Sequence, residues 1–341
     1  MNTIRHKLEE QERQMLSPNA CLAVNTQGRR IPESEHEYRT AFQRDRDRII
    51  HTKSFRRLKG KTQVFLAPKD DHFRNRLSHT LEVAQIARTV SRALFLNEDL
   101  TEAIALGHDL GHTPFGHAGE AALNEICPEG FRHYEQSLRV VDVLESTTSH
   151  HGLNLTYEVR DGILQHSTGK VILLGREGKT PETLEGQVLS ICDAIAYINH
   201  DIDDALRAGI IQREDLPSDA IDFLGETASD RINIMVGGLI HREQQGTIVM
   251  DEDVREATNA LRNYLYGEVY PSAPIHNEVT KAKKIIHELY HHLVAHPETY
   301  IEGHPTDDPV ERKVVDVIAG MTDHYALQLY QTLFFPETWA L

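Results

Sequence analysis

The chain has 341 residues, with 36 Lys+Arg, 52 Asp+Glu and 21 His, and a formal net charge of −16. An apolar fraction of 40% is too high for a disordered chain, and no stretch approaches the roughly 18–20 apolar residues that a membrane helix needs. The acidity weighs against a nucleic-acid-coating role, and three widely spaced cysteines (Cys21, Cys127, Cys192) weigh against a disulfide scaffold or a thiolate zinc site.

Residues 1–20 read as a charged helical lead-in with no apolar leader core, which predicts a cytoplasmic protein. Residues 21–40, with Gly28 and Pro32, read as loop. A helical pattern begins near residue 40, and residues 68–75 read as a turn. Residues 76–96 carry Leu77, Leu81, Ala84, Ile86, Val90 and Leu94 near a 3.6 period, which predicts a helix. A shorter helix is predicted over 99–110, ending at Gly111. Thr113-Pro114 predicts the next helix start, with Thr as N-cap and Pro at the first helical position. Residues 135–146 read as helix, and the apolar run 171–174 as a strand or a packed loop.

In 184–207, Ile191, Ile195, Ile198, Ile202 and Leu206 recur at spacings of four, three, four and four, forming one apolar face of a long helix. Further helical periodicity runs through 218–246, 251–266, 275–296 and 308–333. No Gly/Ser- or Pro-rich linker interrupts the chain, so the expectation is one large all-α domain.

Four side chains occupy suggestive places: His79 in the first turn of its helix, His108 and Asp109 at the end of the next, and Asp193 on the Ile-striped helix. Two imidazoles and two carboxylates suit Mn²⁺, Fe²⁺, Zn²⁺, Co²⁺ or Mg²⁺. Adjacent helical residues point about 100° apart, so His108 and Asp109 can share an ion only because the helix breaks at Gly111. The stretch 108–120, HDLGHTPFGHAGE, adds His112, His117 and Glu120. His117 and Glu120 are three apart on one helix face, and a carboxylate beside an imidazole tunes a general acid or base. Asp193, Tyr197 and Asp201, spaced by four, form a polar ridge beside the Ile face. His287, His291, His292 and His296 lack a completing acid and read as a helix face.

The pattern H…HD…D with HDLGHTPFGHAGEAAL resembles the HD-domain hydrolases. Within them it resembles the deoxyguanosine triphosphate triphosphohydrolases (dGTPases), relatives of the SAM-and-HD-domain dNTPases. RDRDRIIHTKSFRRLKGKTQVF at 44–65, RLSHTLEV at 76–83, GILQHS at 162–167 and AGMTD at 319–323 extend the resemblance over most of the chain. His324 stands where the family pattern has Arg, and Asn19 where it has Tyr.

The resemblance implies a lead-in at 1–40, an HD catalytic core at 41–210 and a C-terminal helical part at 211–341 packed on it. It implies one divalent metal on His79, His108, Asp109 and Asp193. It makes His117 and Glu120 the catalytic pair, with His112 in the triphosphate pocket. It places Gln63, Arg76, His133, Tyr197 and Asp201 around the nucleotide. The implied reaction splits a dNTP (dGTP or several) into deoxynucleoside and tripolyphosphate. A homo-oligomer and a nucleotide or single-stranded DNA effector are further expectations.

A triphosphate brings about four negative charges, and Arg56, Arg57, Lys59, Lys61 and Arg76 are the cations predicted to meet them. The alternatives are another HD phosphohydrolase acting on a nucleotide mono- or polyphosphate, and a nucleotide-regulated binding protein.

Overall fold

The computed structural model describes residues 3–64, 73–146, 151–169, 173–174, 178–241 and 247–336. Among them every extended element is helical; β-pairing is confined to the isolated bridges Arg29–Thr156, Thr62–Asn75 and Ser146–His151. The expected all-α class is the observed one. In order the helices are α1 (Ile4–Met15), α2 (Ala41–Ile50), α3 (Lys53–Arg57), α4 (Arg76–Ala93), α5 (Glu98–Gly107), α6 (Gly116–Ile126), α7 (His133–Arg139) and α8 (Tyr157–Gln165). There follow α9 (Leu184–Arg207), α10 (Ser218–Leu224), α11 (Ala228–Ile240), α12 (Glu252–Tyr264), α13 (Ala273–Ala295), α14 (Pro297–Tyr300), α15 (Val310–Ala319) and α16 (Asp323–Phe334).

The organising element is α9. Thr183 accepts a hydrogen bond from Gly186 N at 3.1 Å and starts the helix. Its Ile191, Ile195, Ile198 and Ile202 are fully buried against α4, α5 and α8, each contributing roughly 1.5–3 kcal/mol of transfer free energy. The large core around it runs from Ala23 to Ile275. A second core joins Phe115, Leu123 and Phe131 to Ile286, Leu289, Val315 and Ile318, so α6 packs on the C-terminal helices rather than on α9. No helix of the described residues is long and apolar enough to cross a membrane.

Several boundaries differ from the sequence expectation. The helix expected to start at Thr113-Pro114 starts at Gly116. Phe115 holds a left-handed conformation (φ 62°), a position a bulky residue rarely adopts, and Thr113 Oγ1 donates to Gly116 O instead of capping. The cause is tertiary: Phe115 N donates to Asp323 Oδ1 at 2.9 Å, from the first turn of α16. The 218–246 periodicity splits at Gly225, whose φ is +102°, and 308–333 splits where Thr322 caps α16. Positions 171–172 of the apolar 171–174 run lie outside the described residues.

Candidate active site

The α4 N-terminus is fixed by Asn75, whose side chain accepts from Ser78 N at 2.9 Å, and this aims His79 inward. Leaving α5, His108 turns its Nδ1 onto the carbonyl of Ala105 at 2.6 Å. A carbonyl only accepts, so Nδ1 carries the hydrogen and Nε2 is left with its lone pair. That Nε2 is buried with no hydrogen-bond partner.

His79 is oriented in the same manner. His200 Nε2 donates to Glu82, so His200 Nδ1 accepts from His79 Nδ1 at 3.2 Å. His79 Nε2 then points a lone pair at Asp193 Oδ1, 3.0 Å away, and His108 Nε2 lies 3.9 Å from the same oxygen. The His79, His108 and Asp193 donor atoms all lie within 4.8 Å of one another. Three lone pairs converging in a buried site repel unless a cation lies between them, and the mixed N/O set fits a divalent ion. Asp109 Oδ1 sits 3.6 Å from His108 Nε2, while its Oδ2 accepts from Arg76 at 2.6 Å. Burial raises the Asp109 carboxyl, but its positively charged surroundings, among them the Arg76 guanidinium, hold it well below the ordinary range.

Beside this cluster, His117 on α6 meets Glu120 Oε2 with Nδ1 at 3.2 Å. Glu120 Oε1 accepts from the backbone N–H of His133 at 3.0 Å and from its Nδ1 at 2.9 Å. Burial raises Glu120, yet the hydrogen bonds from His117 and His133 hold it far below the carboxylate norm. His112 stacks on His133 at 4.3 Å and 17°, and burial, with Arg76 and His133 nearby, pushes its pKa well down. The His117 side chain is 71% exposed, at the mouth of the site. Gly111 lets α7, which carries His133, lie on the 108–112 turn: a Cβ there would stand 2.1 Å from Ser137 N.

A model of the HD domain matches residues 76–198, and one of the phosphohydrolase-associated domain matches 248–332. A deoxyguanosinetriphosphate triphosphohydrolase-like protein of Desulfatibacillum aliphaticivorans is 47% identical over 98% of this chain and 99% of its own length. The chain belongs to the deoxyguanosinetriphosphate triphosphohydrolase-like family. It is therefore an HD phosphohydrolase-type protein. A protein of the same description from Caldanaerobacter subterraneus is 51% identical over 98% of this chain and 97% of its own. A phosphohydrolase structure from Bacteroides thetaiotaomicron shares the fold at a TM-score of 0.50 and 16% identity, over 84% of this chain and 68% of that one.

The remaining expected residues lie around the cluster in different ways. Arg76 joins the cluster through Asp109. Tyr197 and Asp201 follow Asp193 by four and eight residues, about one and two turns along α9, and Tyr270 donates to Asp201 Oδ2 at 2.5 Å. Burial raises Asp201 to about 6. Gln63 packs its backbone over Gly116, where a Cβ would meet Gln63 O at 2.4 Å.

The basic run does not gather at the cluster. Arg56, Arg57 and Lys59 are exposed, and Arg57 lines a separate cavity of about 310 Å³ behind Leu110-Gly111. Lys61 is buried, its Nζ donating to the carbonyls of His112 at 2.5 Å and Ala319 at 2.7 Å. Burial, with Arg76 nearby, lowers its ammonium pKa to about 7.

Sequence reading did not single out His200, His166 or Tyr270 as site residues. His200 follows Tyr197 by three on α9, which was a usable clue. Tyr270 lies 69 residues beyond Asp201, and no local spacing ties the two.

Proposed function

We propose that the protein hydrolyses deoxynucleoside triphosphates between the 5′ oxygen and the α-phosphorus, giving a deoxynucleoside and tripolyphosphate. The observation that carries this reading is a converging His79–His108–Asp193 donor set, with Asp109 alongside, next to an imidazole–carboxylate pair. The full-length relatives described as deoxyguanosinetriphosphate triphosphohydrolase-like support the choice of substrate.

His79, His108, Asp109 and Asp193 would hold one divalent cation, which supplies Lewis acidity at the α-phosphate. Arg76, anchored by Asp109, adds fixed positive charge against the phosphates. His117 donates a proton to the departing 5′ oxygen, with Glu120 accepting its Nδ1–H and holding the ring. Water oxygen bonds to the α-phosphorus as the P–O5′ bond breaks; that bond's electron pair leaves on O5′ with the His117 proton, and the proton that water sheds returns to His117. His112, stacked on His133, walls the phosphate side, and Tyr197, Asp201 and Gln63 face the sugar. Residues 41–210 form the catalytic core in this reading, with 1–40 leading in and 211–341 supporting it through α11–α16.

Incubation with each dNTP and with GTP in the presence of Mn²⁺ or Mg²⁺, followed by ³¹P NMR, tests the proposal. Tripolyphosphate with free deoxynucleoside is expected. Orthophosphate or pyrophosphate as the first product would assign a different HD phosphohydrolase reaction, and product formation by Asp109→Ala at the native rate would contradict the site.

A further inference from the structure

We propose that His166 is a positioning residue, which accepts a hydrogen bond from His133 Nε2 and thereby locks Glu120 against His117. The inference rests on the reading of His117 and Glu120 as the catalytic pair. His166 opens the short turn His166–Thr168 that follows α8, and its ring is 1% exposed. Its Nδ1 lies 2.7 Å from the carbonyl oxygen of Ile163, so Nδ1 carries the hydrogen, and in the neutral ring Nε2 is an acceptor. That acceptor faces His133 Nε2 at 3.2 Å.

At its other edge, His133 Nδ1 lies 2.9 and 3.0 Å from the two Glu120 oxygens, which also only accept from it. His133 is therefore held at both ends and donates from both ring nitrogens. Glu120 in turn is held by three donors: His133 N, His133 Nδ1 and His117 Nδ1. The carboxylate cannot swing from His117 while the His133 ring stays fixed, and His166 is what fixes its far edge. The order of dependence is Ile163 carbonyl, His166, His133, Glu120, His117. Outer partners of this kind typically matter about 10–100-fold when removed.

The effect is separable from simple packing. In the full-length protein loaded with diamagnetic Mg²⁺ and labelled with ¹⁵N-histidine, ring ¹⁵N shifts report the hydrogen on each nitrogen. The expected pattern is His166 protonated at Nδ1 and bare at Nε2, with His133 protonated at both. A bare His133 Nε2, or a hydrogen on His166 Nε2, would overturn the proposal without any turnover assay.

In parallel, His166→Phe keeps a buried ring and loses the acceptor. It is expected to lower kcat about 10–100-fold while KM stays within about twofold, and His166→Gln, which restores an acceptor, is expected to recover most of the loss. Native kcat in a folded His166→Phe protein would also overturn the proposal. If His166→Phe does not fold, the wild-type ring shifts decide alone. If no dNTP is turned over, the reaction proposed above fails, and the same shifts still decide the role of His166.

Discussion

Asp323 lies outside the donor cluster, yet its loss should disturb two stretches that build the site. Its side chain, 6% exposed, accepts from Phe115 N at 2.9 Å with Oδ1, and from Thr62 N at 3.1 Å and Thr62 Oγ1 at 2.6 Å with Oδ2. It thus ties the first turn of α16 to the stretch before α4 and to the left-handed turn that starts α6. Asp323→Ala orphans three buried or half-buried donors, each at roughly 1–3 kcal/mol, and removes a carboxylate from a helix N-terminus at roughly 0.3–1 kcal/mol. Partial relaxation and water entry reduce the total, so the expected destabilisation is about 3–5 kcal/mol. For a chain of this length that lowers Tm by roughly 4–7 °C.

The assay is thermal and urea unfolding of Asp323→Ala and Asp323→Asn beside wild type, with kcat measured well below both midpoints. Asp323→Asn keeps one acceptor and should lose about half as much. The alanine variant should also lose kcat, because Phe115 N is then free to let the α6 start, and His117 with it, drift. Native Tm and native kcat in Asp323→Ala would refute the reasoning.

Three further outcomes follow from the geometry. Burial raises Glu12, which accepts from Ala23 N at 2.7 Å, from an ordinary 4.5 to about 7. The folded state then binds this proton more tightly than the unfolded chain, so stability is lost as pH climbs from 4.5 through 7. Glu12→Gln should match wild type near pH 4.5 and exceed it at pH 8 by about 1–2 kcal/mol, after discounting for partial exposure; equal urea midpoints at pH 8 would contradict this. Gly111→Ala places a Cβ 2.1 Å from Ser137 N, a backbone atom that cannot step aside cheaply. It should cost roughly 3 kcal/mol or more, or leave the protein insoluble, as read by urea unfolding. Tyr270→Phe removes the donor 2.5 Å from Asp201 and should raise KM for a dNTP about 3–10-fold with kcat nearly kept; an unchanged KM would remove Asp201 from the sugar side.

The long helix was legible because its Ile stripe buries one face completely, and 184–207 is the range observed. The donor cluster was legible through the H…HD…D pattern of the family the sequence resembles, since the four residues alone are a weak signal; His79 and Asp193 lie on α4 and α9 and His108 just past the end of α5. Glu120 and His117 were legible as an i,i+3 pair. The start of α6 was not, since Thr113-Pro114 is a good local cap that loses to a bond from Asp323, 208 residues away. The basic run misled for a similar reason: Lys61 spends its charge on two backbone carbonyls that only the folded chain brings together. His166 was read only as part of the GILQHS match, because the role proposed for it depends on a tautomer set by the Ile163 carbonyl, which no residue spacing encodes.

The central claim is that one divalent cation gathers the ligands of α4, α9 and the turn after α5. Crystals grown with Mn²⁺ and measured at its absorption edge test it directly. The account predicts an anomalous peak within roughly 2.0–2.3 Å of His79 Nε2, His108 Nε2 and Asp193, with Asp109 completing the set. A map with no peak there, or with its strongest peak on other side chains, would contradict it.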